Sequence, residues 1–191
     1  GQLGNGAVSE IGNPNPQVVI GISTARQVAI ASGTSCALLE DGKVKCWGYR
    51  GFNQTIVPTT FSQATEITAG GFHTCAKTEK GLRCWGDARF GQVQIPTGVT
   101  RPTAITAGEA HTCAIADEGV LCWGANSQQQ IKVPVFATKP TEIAAGALHT
   151  CAGSFGTLQC WGSNTYGQNN IPWGIRNPRG VSAGQQHTCA I

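Results

Sequence analysis

Charge is scarce in this chain. Asp, Glu, Lys and Arg make up 12% of its 191 residues, against roughly 25% in an average soluble domain. Its 13 Lys and Arg are spread along the chain, so there is no basic stripe of the kind that meets nucleic-acid phosphates, and no DNA or RNA partner is expected. No apolar run approaches the roughly 20 residues a membrane-spanning helix needs, and no segment carries a 3.6-residue apolar period long enough for an amphipathic helix. There is no methionine and no signal-peptide pattern. The opening Gly1-Gln2-Leu3-Gly4 reads as a processed or excised piece, with chain expected beyond both ends.

Catalytic groupings are also missing. The sequence has no unique histidine, no paired carboxylates and no nucleophile elbow. Its acids are isolated, with Asp41 and Asp117 in turns and Glu66 and Glu142 on expected strands. The sequence therefore points to a protein that is not an enzyme and needs no cofactor or metal.

What is abundant is cysteine, in a fixed phase. Cys-Trp-Gly occurs at Cys46-Trp47-Gly48, Cys84-Trp85-Gly86, Cys122-Trp123-Gly124 and Cys160-Trp161-Gly162, always 38 residues apart. Gln54, Gln92, Gln130 and Gln168 keep the same spacing, as do Pro58, Pro96, Pro134 and Pro172. A second cysteine recurs before alanine at Cys36, Cys75, Cys113, Cys151 and Cys189, preceded by His-Thr in every unit but the first, which has Thr34-Ser35. A fixed period of this length means a repeat architecture whose units bury their apolar faces by stacking on one another.

One unit reads as four short antiparallel strands. Thr103–Ala107 is an inner strand whose apolar position recurs as Val28, Ile67, Ile105, Ile143 and Val181. His111–Ile115 follows, a turn at Ala116–Gly119 leads into Val120–Trp123, and a fourth short strand ends at Val133-Pro134. Four strands in about 40 residues make a β-propeller blade, so the fold class is all-β. The repeats fall at 28–64, 65–102, 103–140 and 141–178, after a longer first repeat over 1–27 and before an incomplete one over 179–191.

Counting outward from the turns sets Cys36 opposite Cys46, Cys75 opposite Cys84, Cys113 opposite Cys122 and Cys151 opposite Cys160, within bridging distance. Cross-strand disulfides are favoured over reduced core thiols and over a metal site of the His73, Cys75, Cys84 type, and Cys189 is left unpaired. Such pairs suit an oxidising compartment: extracellular, cell-surface or periplasmic. The tryptophan is expected to wedge between blades, the histidine to bond backbone at a blade corner and the glutamine to bond loop backbone.

The unit Ile-x-Ala-Gly-x-x-His-Thr-Cys-Ala followed by Cys-Trp-Gly-x-Asn-x-x-Gly-Gln resembles the repeat of the regulator of chromosome condensation (RCC1-like) superfamily. Its short period and Gly-Gln-x-x-Ile-Pro tail, as in Gly91–Pro96 and Gly167–Pro172, are similar to bacterial secreted members such as the propeller-type β-lactamase inhibitor. Gly1-Gln2-Leu3-Gly4-Asn5-Gly6 resembles the same loop in its longer form. The resemblance implies a propeller, usually of seven blades, of which about five are represented here.

What varies between units is the loop after Cys-Trp-Gly. Tyr49, Arg50, Phe52, Asp87, Arg89, Phe90, Asn126, Gln128, Asn164 and Tyr166 lie in these loops, and strand direction puts Phe72 and Leu148 at the same end. Aromatic and Arg side chains are enriched in binding hot spots. The reading is a binding module that holds a protein through this rim, with a glycan-binding propeller or a structural spacer as alternatives. Asn53-Gln54-Thr55 is an N-glycosylation sequon.

Overall fold

The computed structural model describes residues 4, 18–60, 63–175 and 177–191. Most of the 1–27 repeat, with its glycine-rich opening loop, lies outside them. The described residues form fourteen strands and no helix. The first sheet is β1 (Ala25–Ala31), β2 (Thr34–Leu39) and β3 (Val44–Gly48), and the second is β4 (Ala64–Ala69), β5 (His73–Thr78) and β6 (Gly81–Gly86). The third is β7 (Ala104–Ala107), β8 (His111–Ala116) and β9 (Gly119–Gly124), and the fourth is β10 (Glu142–Ala145), β11 (His149–Ser154) and β12 (Thr157–Gly162). A last pair joins β13 (Ser182–Ala183) to β14 (Thr188–Cys189). All pairings are antiparallel, and the first strands of successive sheets pack side by side.

The hairpin register is the one counted from the turns. Cys75 faces Cys84, Cys113 faces Cys122, Cys151 faces Cys160 and Cys36 faces Cys46. Pairing runs one step further than the turn residues suggested, to Thr78 with Gly81 and Ala116 with Gly119, which leaves two-residue turns. All four pairs are disulfides, with Cα atoms 4.0 to 4.1 Å apart.

Among the described residues each full sheet has three strands, and the segment read as a fourth runs as a chain of turns. Gln129 N–H donates to Asn126 O (3.1 Å), Lys132 N–H to Gln129 O (3.0 Å) and Val133 N–H to Ile131 O (3.0 Å). These donors are consumed locally, and Pro134 has none, so no ladder can form.

The middle strands are buried along almost their whole length. Apolar packing lies between blades as well as within them. Ile67 packs with Ala29, Cys36 and Leu38 of the preceding sheet, and Trp123 packs with Leu82 and Ile105. Ile67 is 2% exposed whereas the equivalent Val28 is 55% exposed, because among the described residues no sheet lies before β1. Side chains of the inner strands stitch each blade to the next. Gln27 brackets Ile67, accepting its N–H and donating to its carbonyl (2.9 Å each), and Glu142 accepts Val181 N–H (3.0 Å).

Candidate functional site

Each recurring glutamine braces the loop that follows Cys-Trp-Gly. Gln54 Oε1 accepts Phe52 N–H (3.0 Å), Gln92 accepts Phe90 (3.0 Å), Gln130 accepts Gln128 (2.8 Å) and Gln168 accepts Tyr166 (2.8 Å). The loop's other end is tied to the inner turn of its own blade, Asp87 N–H donating to Phe72 O (2.9 Å) and Ser163 N–H to Leu148 O (2.9 Å). The variable side chains between these anchors therefore project from one end of the array, as strand direction required. Asn53 of the sequon lies there, exposed, with φ of 61°.

Beneath the loops lies a joint that couples each blade to the next, and histidine is its key. His73 Nε2 is 2.8 Å from Thr112 Oγ1, His111 is 2.9 Å from Thr150, and His149 is 2.9 Å from Thr188. The partner is thus a hydroxyl of the following repeat and not backbone at the blade's own corner. Thr112 donates onward to the Gln92 carbonyl (2.8 Å), which also receives the Trp123 indole N–H (2.8 Å). Since the hydroxyl proton is spent on that carbonyl, Thr112 accepts from the imidazole, and the proton belongs on Nε2. Trp85 and Trp161 donate in the same way to the carbonyls of Gln54 and Gln130 (2.9 Å each). Trp85, Trp123 and Trp161 are inter-blade wedges with a fixed polar end.

Nδ1 of His73, His111 and His149 is buried with no hydrogen-bond partner. A charged imidazole here would be desolvated, and burial holds His73 down to about 4 and His111 to about 3. Thr34, standing where the other units have histidine, is buried and donates to the Tyr49 carbonyl of its own loop (3.2 Å). Sequence reading missed this joint because Thr and Gln alone carry no signal. The clue was the coincidence of their period with those of His and Trp.

The rim is not uniform. Over the first and second blades Tyr49, Phe52 and Phe72 form a three-ring cluster, with centroids 6.4, 6.1 and 5.1 Å apart. Arg89 reaches across from the next loop and lays its guanidinium 4.5 Å over the Phe52 ring. Asp87, 4% exposed, fixes it there with a two-pronged bond, from Nε to Oδ1 and from Nη2 to Oδ2 at 2.9 Å each. That bond holds the Asp87 carboxyl below the usual carboxylate range. Phe90 and Arg50 flank the cluster in exposed positions. Asn126, Gln128, Leu148, Asn164 and Tyr166 share this end on the third and fourth blades, where among the described residues no comparable ring cluster forms. Cys75 and Cys84 are bridged, so the His73, Cys75, Cys84 set has no thiolates to offer a metal.

A cluster of this kind presents apolar area and a pre-oriented cation at little entropic cost. It brings no acid, base or nucleophile pair together.

The family model for the Regulator of chromosome condensation (RCC1) repeat matches residues 25–54, 64–92 and 103–130. No curated protein sequence matches the chain as a relative. Among solved structures, the ectodomain of the receptor kinase CR4 from Physcomitrella patens is 24% identical with a TM-score of 0.73, matching 91% of this chain and 49% of that one. Prp20p from Saccharomyces cerevisiae, whose binding properties to Gsp1p and histones were determined, is 20% identical with a TM-score of 0.75, over 87% of this chain and 56% of that one. Human WBSCR16 is 19% identical with a TM-score of 0.80, over 100% of this chain and 64% of that one. The chain therefore spans from about half to just under two thirds of the length of these three structures. At these identities the likeness establishes the fold. Three stretches of the chain between residues 25 and 130 match the regulator of chromosome condensation repeat, and the described strands fold as the blades of an RCC1-like β-propeller.

Proposed function

We propose that this array is a non-catalytic binding module that holds a protein partner through the rim over its first two blades. The observation that carries this reading is the Tyr49, Phe52, Phe72 cluster with Arg89 locked over it by Asp87. Exposed Phe90 (57%) and Tyr49 (51%) extend it toward solvent. Rigid aromatic rings beside an arginine are the composition of binding hot spots. Protein binding by Prp20p supports the view that this fold can serve such a role. Four disulfides confined to single hairpins support an oxidising compartment outside the cytosol.

The test has two steps. A photo-crosslinking residue placed at Arg50 identifies the partner in the native source. The purified pair is then measured with Phe90→Ala and Arg50→Ala, both at exposed positions. At least one substitution should weaken binding tenfold or more, about 1.4 kcal/mol. Unchanged affinity in both would remove the rim from the interface. Binding to one glycan class on an array, abolished by Tyr166→Ala, would instead establish the carbohydrate reading.

A further inference from the structure

The loops that follow Cys-Trp-Gly carry two exposed charges, and both are positive. Arg50 follows Tyr49 in the first loop and Arg89 lies in the second, while Asp87, the acid among these loops, is buried. The inner turns at this end add one acid, Glu109, which lies beside Gly71 and pairs with neither arginine among the described residues. Arg50 forms no ion pair among them either.

The bonds of Arg89 leave a definite remainder. A guanidinium carries five N–H groups. Nε–H and one Nη2–H are spent on Asp87, and the Arg89 backbone N–H joins them on Oδ1 (3.1 Å). One flat face lies on Phe52. Three N–H groups remain, two on Nη1 and one on Nη2. One from each nitrogen makes an end-on fork, aimed away from Asp87 and without an acceptor among the described residues. The side chain is 59% exposed. This pair is no part of the repeat, since the matching positions hold Tyr49 and Gly51, Ala125 and Ser127, and Ser163 and Thr165. The blades therefore fold without it.

A partner that covers this rim has to give these donors acceptors, because a charge or N–H buried without a match is costly. A carboxylate fits the fork: it is planar, and its two oxygens take two parallel N–H bonds. We infer, resting on the reading of this rim as a protein-binding surface, that the partner docks an acidic segment here. An Asp or Glu side chain seats in the Arg89 fork, a second acid meets Arg50, and an apolar neighbour packs on exposed Tyr49 and Phe90. Asp87 is the positioning residue. Held by Asp87 and Phe52, the guanidinium gives up little freedom when the carboxylate arrives.

The test selects displayed random peptides of about twelve residues on the 191-residue protein. The enriched family should join Asp or Glu to an aromatic or aliphatic residue. Its synthetic peptide should bind at least tenfold tighter than a copy with each acid changed to the amide, and should weaken several-fold from about 50 to about 500 mM NaCl. Arg50→Gln should cost tenfold or more. So should the double variant Asp87→Asn with Arg89→Gln, which puts a neutral pair in place of the ionic one and leaves no buried carboxylate unmatched. Phe90→Ala reads the rim itself. A family without acids, weakened by Phe90→Ala but not by the arginine variants, would overturn the carboxylate and keep the rim. A family indifferent to all three variants would remove both. Retention on heparin that the double variant abolishes, with no acidic peptide enriched, would give the fork to a sulfated glycan and overturn the inference.

Discussion

Acid should loosen the array at its histidine joints. The unfolded chain binds a proton at each imidazole near the ordinary value of 6.5, whereas folded His73 does so only near about 4 and His111 near about 3. Between those limits the unfolded state binds more protons, so stability is present in full above 6.5 and falls as the pH drops toward 4. At pH 5 each of these two histidines has cost about 2 kcal/mol, or about 4 kcal/mol together, a large share of a typical 5–15 kcal/mol. His149 adds in the same direction, its value lowered by burial. The assay is urea unfolding of the oxidised protein at pH 7.5, 6.0 and 5.0. Wild type should lose stability steeply over this range, and His111→Gln, which can still donate to Thr150 but cannot titrate, should lose about 2 kcal/mol less. A midpoint that does not move between pH 7.5 and 5.0 would refute the argument. So would a His111→Gln variant that keeps the whole wild-type slope. Asp87 and Asp41, whose carboxyls sit below their usual range, titrate at lower pH and do not confuse the window.

Mass mapping without reduction should find the four hairpin bridges and a thiol at Cys189, and replacing Cys113 and Cys122 together by serine should cost roughly 2–3 kcal/mol from the short loop it reopens. Gly108→Ala should prevent folding or cost more than about 3 kcal/mol, because its Cβ would fall 2.2 Å from His111 Cε1 and 2.5 Å from the Gly146 carbonyl; thermal unfolding reads this directly. Gly119→Ala, where no atom lies within 4 Å but φ is +115°, should cost only about 1–2 kcal/mol of backbone strain. Tyr166→Ala, at a side chain 67% exposed, should leave the melting temperature within about 2 °C of wild type, whereas Phe52→Ala should lower it by removing two ring contacts and the seat of Arg89.

The blades could be read from the sequence because their contacts are either local or periodic. A hairpin's register follows from the length of its turn, so Cys75 and Cys84 could be paired by counting. Contacts between corresponding strands of neighbouring blades join residues 37 to 40 apart, and threonine and tryptophan reach the preceding glutamine carbonyl over 20 and 31 residues, so the 38-residue phase already contained them. Two features were hidden for opposite reasons. The turns at Asn126–Val133 look like a strand because Ile131 and Val133 are β-formers, yet only the local bonding shows that their donors are used up. The rim loops look equivalent in sequence, but whether their side chains meet depends on reach across a joint. Arg89 spans that gap and the short Ser127 does not. His73 was placed correctly at a blade corner, but its partner lies 39 residues away.

The joint also has a direction. Glutamine, and histidine where it is present, come from one repeat, and threonine and tryptophan from the next, so the contact is heterologous: two unlike surfaces meet head to tail. Such a surface cannot pair with itself, which means that two arrays brought face to face have no way to dock through their blades as mirror partners. Growth can proceed only by adding a unit in the same sense, with the same rotation at each step. An evolutionary duplication of one repeat therefore inserts a complete acceptor and a complete donor at once and leaves every neighbouring joint satisfied. Loop side chains can change without touching the joint, since the joint uses the glutamine carbonyl and the buried threonine, histidine and indole below them.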